Sequence, residues 1–348
     1  MKPLALSPSG LLRFSLTALS LCLAAALVQP SFAQDSESAP GRSNSGTAQQ
    51  GSHAKGQNTA PERARSGRAG SATRNDATTT VVAAHPVVFG LLEVLTKDTS
   101  IAAVRATPGN LPPSRHYSYL SGRGAKAFDR VVRGADAVAH LRSIWPDDPL
   151  YPMARQHNIR VIEIDAANPV DRSLPGIAAS AGAGSVTAYP WLNPVNLGRM
   201  ADIIGSELER LDPTARPALE KNLAGLRQRL VKLNAQVESG LLDAPSLAVV
   251  VLSPRLTTLA TAFNLDMVPV RESSQWNEQS LAELGKTIAD NDIKIVLMHE
   301  AAAPEVDSAI TAAGARVVVV NTDGDDPLVV LEAAGQSLVQ AMAADGAG

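Results

Sequence analysis

The chain has 348 residues, of which 45% are hydrophobic and only 3% aromatic, and its formal net charge is −3. This length and composition predict a globular protein with two hydrophobic cores, built mainly from Ala, Val and Leu. The charge is slightly negative and the basic residues are dispersed, so we expect no nucleic-acid partner.

The first 33 residues have the pattern of a secretory signal peptide. Lys2 and Arg13 are its basic residues, an apolar stretch covers residues 16–28, and small residues flank Phe32 where a signal peptidase would cut before Gln34. The apolar stretch is too short for a transmembrane helix. The pattern therefore predicts a protein secreted into the periplasm.

The cysteine content narrows the possible chemistry. The one cysteine, Cys22, lies inside the apolar stretch and follows Leu21, not the small residue that lipoprotein processing requires. We therefore predict an unanchored, cysteine-free mature protein with no disulfide, thiolate metal site or cysteine nucleophile.

Residues 34–79 contain no Val, Leu, Ile, Met or aromatic residue. Such a segment cannot bury enough apolar surface to offset its conformational entropy, so the composition predicts a disordered tether.

From Thr80 onward, short apolar segments alternate with amphipathic ones. This alternation predicts an α/β fold with two lobes, residues 80–211 and 243–348, each a four-stranded parallel sheet with flanking helices. The predicted strands are 81–84, 100–107, 135–139, 160–165, 247–252, 267–270, 294–298 and 316–320. The predicted helices are 87–95, 125–132, 149–157, 193–211, 255–263, 279–290, 304–313 and 327–343.

A long helix is predicted between the lobes, over residues 212–242. Its apolar residues recur at steps of three and four, with Leu226 and Leu230 in the middle of the stripe. Asp212 is the predicted N-cap and Gly240 the predicted left-handed stop. A helix this long favours a rigid spine that joins two lobes, although periodicity alone also allows a long helix on one domain or a coiled-coil seam.

The order of elements from Val81 onward resembles the zinc- and manganese-binding solute-binding proteins of bacterial ABC importers. Four segments carry the likeness: PSRHYSYL at 113–120, YPWLNP at 189–194, the segment from Leu252 to Leu265, and VVVN at 318–321. The resemblance implies two lobes joined by one rigid helix, a cleft that binds a zinc or manganese ion, an inner-membrane ABC permease as partner, a monomer, and no catalytic activity.

Carried over residue by residue, the family's metal-ligand positions hold His116, Tyr189, Ser253 and Asn321. Only His116 is the residue type that the family uses. A hydroxyl, a phenol and an amide oxygen are much weaker ligands than imidazole or carboxylate, so the resemblance implies a degenerate site. Asp323 is a possible substitute for Asn321.

Two further histidines are candidate metal ligands. His85 and His140 end the first and third predicted strands, so with His116 they could project from one sheet edge into one cleft. The alternative is structural: His85 caps the next helix and His140 is a satisfied histidine at the sheet edge. Trp191 is either packing between the lobes or a platform for a ligand, and His299 with Glu300 could face the cleft from the second lobe.

Two functions remain open. The first is a periplasmic binding protein that delivers a metal ion or a metal complex to an ABC permease. The second is a non-transport periplasmic protein of the same fold that stores metal or binds another protein, as the loss of three ligand types suggests. A secreted hydrolase would need an activated nucleophile, and the sequence offers none.

Overall fold

A computed structural model describes residues 78–172, 174–177, 189–270 and 276–344. The predicted signal peptide and most of the predicted tether lie outside these residues. The tether prediction ended at residue 79, but Thr79 already belongs to the first strand.

The described residues form two four-stranded parallel sheets, as the sequence predicts. The first sheet has the strand order β2-β1-β3-β4 and the second has the order β6-β5-β7-β8. The strands are β1 (Thr79–Ala83), β2 (Ile101–Arg105), β3 (Ala137–His140), β4 (Ile162–Asp165), β5 (Ala248–Val251), β6 (Asp266–Met267), β7 (Ile295–Met298) and β8 (Arg316–Val319). The helices are α1 (Pro86–Leu95), α2 (His116–Ser121), α3 (Ala125–Arg133), α4 (Leu150–His157), α5 (Pro194–Leu211), α6 (Arg216–Leu241), α7 (Thr257–Ala262), α8 (Glu278–Asp290), α9 (Pro304–Ala312) and α10 (Pro327–Ala344).

The central strands are buried on both faces, which explains their continuous apolar sequences. Val81 and Val82 are both fully buried, and they belong to different hydrophobic clusters on the two sides of the first sheet. Val249 and Val250 have the same arrangement in the second sheet. Helices on both faces supply the partner surfaces.

The edge strand β6 is shorter than predicted. The Val268 N–H still donates to the Val249 carbonyl at 2.8 Å, but Pro269 has no N–H to continue the ladder. The short helix α2 was not predicted, because its sequence HYSYLS has no apolar stripe of helical period.

The predicted spine is the 26-residue helix α6, which packs along α5 of the first lobe and α10 of the second. Leu226 and Leu230 are 2% and 5% exposed, as expected for the middle of the stripe. Asp212 caps a short helical turn ahead of α6, where its Oδ1 accepts from the Thr214 N–H at 3.0 Å. At 1.5 Å per residue, α6 is about 39 Å long.

The prediction that Gly240 stops the helix is wrong. Gly240 lies within α6, and among the described glycines only Gly314 has a positive φ. The physical reason for Gly240 is close packing, since a Cβ there would lie 2.5 Å from Val339 Cγ1 on α10. Within the described part of the chain, no helix is both long and apolar enough to cross a membrane.

Candidate functional site

A cleft of about 710 Å³ lies between the two sheets. The loops that line it follow the carboxyl ends of strands in both lobes, where parallel sheets commonly place their binding sites. From the first lobe come His85, residues 109–114, Trp145, Tyr189 and Trp191. From the second lobe come Arg255, His299, Glu300 and residues 322–325.

His85 is the most unusual group in the cleft. It follows β1 and is only 5% exposed, and neither ring nitrogen has a hydrogen-bond partner. It occupies the N-cap position of α1, but its side chain makes no capping hydrogen bond. Burial, with a smaller contribution from His116, lowers the pKa of His85 to about 3. The imidazole is therefore neutral at physiological pH, which is the form that binds a metal ion.

Two tryptophans that line the cleft pack against His85, and Tyr189 packs against both of them. The His85 ring centroid lies 4.9 Å from that of Trp191 and 5.4 Å from that of Trp145, both edge-to-face. The Tyr189 and Trp191 centroids are 4.5 Å apart. Trp191 is 3% exposed and belongs to the main core cluster, so most of its ring packs in the core although the residue lines the cleft.

His116 does not line this cleft. It begins α2, is 2% exposed, and its Nε2 lies 3.2 Å from the Leu111 carbonyl oxygen. Burial is the main cause of its lowered pKa, which the Leu111 hydrogen bond partly opposes. The nitrogen that would have to bind a metal therefore already has a backbone partner.

His140 is also outside the cleft lining. It is 1% exposed and stacks on Tyr151, with centroids 5.4 Å apart. Its Nε2 lies 3.0 Å from Glu163 Oε1, and its Nδ1 accepts the Arg142 N–H at 2.9 Å. Both nitrogens are thus engaged, as the structural alternative for His140 predicted.

The structure does not bring the three candidate histidines of the first lobe, His85, His116 and His140, together around one point. Among the described residues, no group of three His, Cys, Asp or Glu side chains is placed to hold one metal ion. The physical reason is that His116 and His140 make local hydrogen bonds, whereas His85 lines the cleft and its two buried ring nitrogens have no hydrogen-bond partner.

Ser253 and His299 form a hydrogen-bonded pair in the second lobe. Ser253 follows β5 and is 2% exposed, and its hydroxyl lies 2.6 Å from His299 Nδ1. Burial and then Arg255 lower the pKa of His299, while Glu300 and Asp323 raise it. Of the pair only His299 lines the cleft, so Ser253 positions the imidazole.

The loop after β8 exposes a different residue from the one that the resemblance implies. Asn321 is exposed and does not line the cleft, and its Oδ1 accepts the Asp323 N–H at 3.0 Å. Thr322 and Asp323 line the cleft instead. Thr322 is 7% exposed, and its buried Oγ1 has no hydrogen-bond partner.

Arg255 is a cleft residue that the sequence reasoning missed. Its guanidinium carbon lies 5.0 Å from the Tyr189 ring centroid, and its carbonyl accepts the Tyr189 N–H at 3.4 Å. Burial raises the pKa of Tyr189, and Arg255 opposes that rise. The available signal was its position directly after the Ser-Pro that follows β5.

Solved structures with this architecture show the same fold at low sequence identity. A ZnuA crystal structure is 22% identical, with a TM-score of 0.58, and the match covers 76% of this chain and 99% of that one. The zinc-bound ZnuA-like domain of AdcA from Streptococcus pneumoniae is 18% identical, with a TM-score of 0.57 and coverages of 76% and 98%. FpvC from Pseudomonas aeruginosa, in complex with Mn²⁺, is 17% identical, with a TM-score of 0.59 and coverages of 77% and 99%.

No curated protein matches the chain. The family model described as ZnuA, zinc-uptake complex component A periplasmic, matches residues 152–344. That match spans more than half of the 348 residues, so the protein belongs to this zinc-uptake family of periplasmic components.

Proposed function

We propose that this protein is the periplasmic substrate-binding component of an ABC importer and that its cleft takes up a metal ion already held in a complex. Zinc and manganese are the metals that the resemblance favours. The substrate enters between the lobes, and an inner-membrane permease receives it. The protein acts as a monomer and binds its substrate without chemical change.

The unpartnered imidazole of His85 is the observation that carries this proposal. A neutral, buried imidazole with both nitrogens unpaired is a good ligand for zinc, manganese or nickel. Among the described residues that line the first-lobe side of the cleft, His85 is the one histidine. One such donor is too few for a bare ion, which needs about four ligands.

The size of the cleft supports a complex as well. Its volume of about 710 Å³ corresponds to roughly twenty water molecules at about 30 Å³ each. A bare ion leaves most of this space to water, whereas an organic chelator fills it. Trp145, Trp191 and Tyr189 offer flat apolar surfaces of the kind that line binding sites for organic ligands.

The domain boundaries follow as part of the same proposal. Residues 1–33 direct secretion and are removed, and residues 34–79 serve as a tether. Residues 80–211 and 243–348 form the two lobes around the linking helix at 212–242.

Native mass spectrometry of the loaded protein tests the proposal. The purified protein is incubated with zinc chloride, with zinc citrate and with the zinc complex of phenanthroline, a flat aromatic chelator. We expect adducts whose mass equals metal plus chelator, and no retained adduct from zinc chloride at the same concentration. Adducts of zinc alone from every source would show that the site strips the chelator and binds a bare ion.

A matched pair of variants localises the binding. His85→Gln removes the unpartnered imidazole, whereas His140→Gln replaces a histidine that is equally buried but lies outside the cleft lining. We expect the complex adducts to disappear in the first variant and to persist in the second. Complete absence of adducts from the wild-type protein would overturn the proposal and favour a non-transport function.

A further inference from the structure

We infer that Arg255 is the anion-binding residue of the cleft and that the substrate is a metal complex whose chelator carries a free carboxylate group. This inference rests on the proposed function and specifies its substrate class. It assigns the organic part of the substrate to the second lobe and the metal to His85 of the first.

Arg255 is an arginine of the cleft that makes no direct salt bridge within the described part of the chain. Its half-buried side chain lines the cleft, and no described carboxylate forms an ion pair with it. In contrast, Arg105 beside the same cleft pairs with Asp325 at 2.7 Å. A half-buried guanidinium without a carboxylate partner is favourable when a ligand supplies the negative charge.

The contact with Tyr189 orients the guanidinium. Its central carbon lies over the Tyr189 ring, 5.0 Å from the ring centroid, which is the distance of a cation–π contact. The N–H groups along the edge of a guanidinium lie in its plane and match the two oxygens of a carboxylate. Stacking on Tyr189 thus holds Arg255 in place without using those donors.

Thr322 adds a second polar group on the same lobe. Its Oγ1 is buried without a hydrogen-bond partner, and the residue lines the cleft after β8. A hydroxyl can donate to a carboxylate oxygen or accept from a hydroxyl of the chelator. Thr322 is therefore the second polar group that we assign to recognition of the chelator.

The remaining charges in the cleft select the complex over the free chelator. Glu300 and Asp323 also line the second-lobe side. Their carboxylates repel a metal-free polyanion, but they tolerate a complex in which the metal has cancelled most of the chelator's charge. We therefore expect metal-free citrate to bind more weakly than zinc citrate.

Calorimetric titration with two chemically distinct zinc complexes tests the inference. Zinc citrate carries free carboxylate oxygens, whereas zinc phenanthroline carries none. We expect Arg255→Gln to weaken zinc citrate by about tenfold or more, the loss of one charge-assisted hydrogen-bonded pair. In the same variant the affinity for zinc phenanthroline should be nearly unchanged. The affinity of Arg255→Lys for zinc citrate should be intermediate, because lysine keeps the charge but not the planar pair of N–H donors.

Two further measurements separate recognition from folding. Arg133→Gln, which removes an exposed arginine paired with Asp129 on α3, serves as the control and leaves both titrations unchanged. Thr322→Val weakens zinc citrate but does not lower the melting temperature, because it removes a buried hydroxyl that has no partner. Thr96→Val should lower the melting temperature and leave zinc citrate binding unchanged, since the Thr96 hydroxyl donates to the Leu92 carbonyl at 2.8 Å.

The outcomes separate this inference from the proposed function. If wild-type protein binds zinc phenanthroline but not zinc citrate, the proposed function stands and the inference about Arg255 is wrong. An equal loss of affinity for both complexes in Arg255→Gln would also overturn the inference, because Arg255 would then support the shape of the cleft and would not recognise a carboxylate. If wild-type protein binds neither complex, both the proposed function and the inference fail.

Discussion

Arg105 and Asp325 form an ion pair that joins the two lobes, with Nη2 and Oδ1 2.7 Å apart. Arg105 ends β2 in the first lobe, and Asp325 precedes α10 in the second. The guanidinium also lies over the Phe89 ring, 4.4 Å from its centroid. Gly90 on α1 allows the loop to approach, since a Cβ there would lie 2.1 Å from the Asp325 carbonyl oxygen. The ion pair therefore bridges the two lobes along one side of the cleft.

Asp325→Asn should weaken this contact between the lobes without much effect on the stability of the fold. The Asp325 side chain is 64% exposed, so the pair contributes only about 0–1 kcal/mol to the free energy of unfolding. We expect a small increase in the radius of gyration by X-ray scattering and an unchanged melting temperature. Lys286→Gln, which removes an exposed ion pair with Asp290 inside one helix, is the control. Identical scattering from both variants would show that the Arg105–Asp325 pair does not hold the lobes.

Leu230→Asp should be strongly destabilising, whereas Val231→Asp should not. The two residues are neighbours on α6, but Leu230 is 5% exposed between the lobes and Val231 is 70% exposed. Loss of burial costs about 1.5–3 kcal/mol, and the buried charge adds to it. Urea denaturation measures both values. Similar free energies of unfolding for the two variants would contradict the role of α6 as a buried spine.

Gly225 and Gly240 should respond in opposite directions to replacement by alanine. A Cβ at Gly225 meets no atom within 4 Å, so Gly225→Ala should stabilise α6 by about 0.5–1 kcal/mol. A Cβ at Gly240 would collide with Val339, so Gly240→Ala should destabilise the protein despite its better helix propensity. Thermal denaturation of both variants checks the signs, and stabilisation by Gly240→Ala would refute the close packing of α6 on α10.

Acidification should destabilise the protein through His85. The pKa of His85 is about 3 in the folded state and 6.5 in its ordinary environment. The unfolded chain therefore binds the proton more readily, so this contribution to stability is complete above pH 6.5 and is lost as the pH falls toward 3. Between about pH 8 and about pH 5 the loss is about 2 kcal/mol.

A His85→Gln variant isolates that contribution. His116 and His299, whose pKa values are also lowered, remain in both proteins and cancel in the comparison. Denaturation with urea at the two pH values should show the wild-type protein losing about 2 kcal/mol more than the variant. Equal losses would mean that His85 is accessible to protons in the folded state.

The sequence predicted the fold well because strand and helix signals are local. The apolar stretches that form β1, β3, β5 and β7, together with the stripe on α6, follow directly from hydrophobic periodicity. The role of Gly240 was predicted wrongly because a glycine is required there by the close approach of Val339, which belongs to a different helix. A sequence pattern does not show contacts of that kind.

The candidate site was predicted less well because it depends on side-chain direction. His85 follows β1 and His140 ends β3, the two central strands of one sheet, but His140 is held by Glu163 and the Arg142 N–H whereas the His85 ring nitrogens have no partner. Asn321 binds its own loop, so Thr322 takes its place beside the cleft. Arg255 was missed because its place after Ser253-Pro254 is a weak signal, and its contact with Tyr189 comes from the other lobe.

Calorimetry distinguishes a cleft that binds a metal complex from one that binds a bare ion, by comparing free Zn²⁺ with zinc phenanthroline on wild-type, His85→Gln and His116→Ala proteins. We expect weak binding of free Zn²⁺ by all three proteins. We also expect clear binding of the complex that is lost in His85→Gln and retained in His116→Ala. Tight binding of free Zn²⁺ that survives His85→Gln but not His116→Ala would contradict the account, because it would place a competent ion site at the histidine that the family resemblance implies.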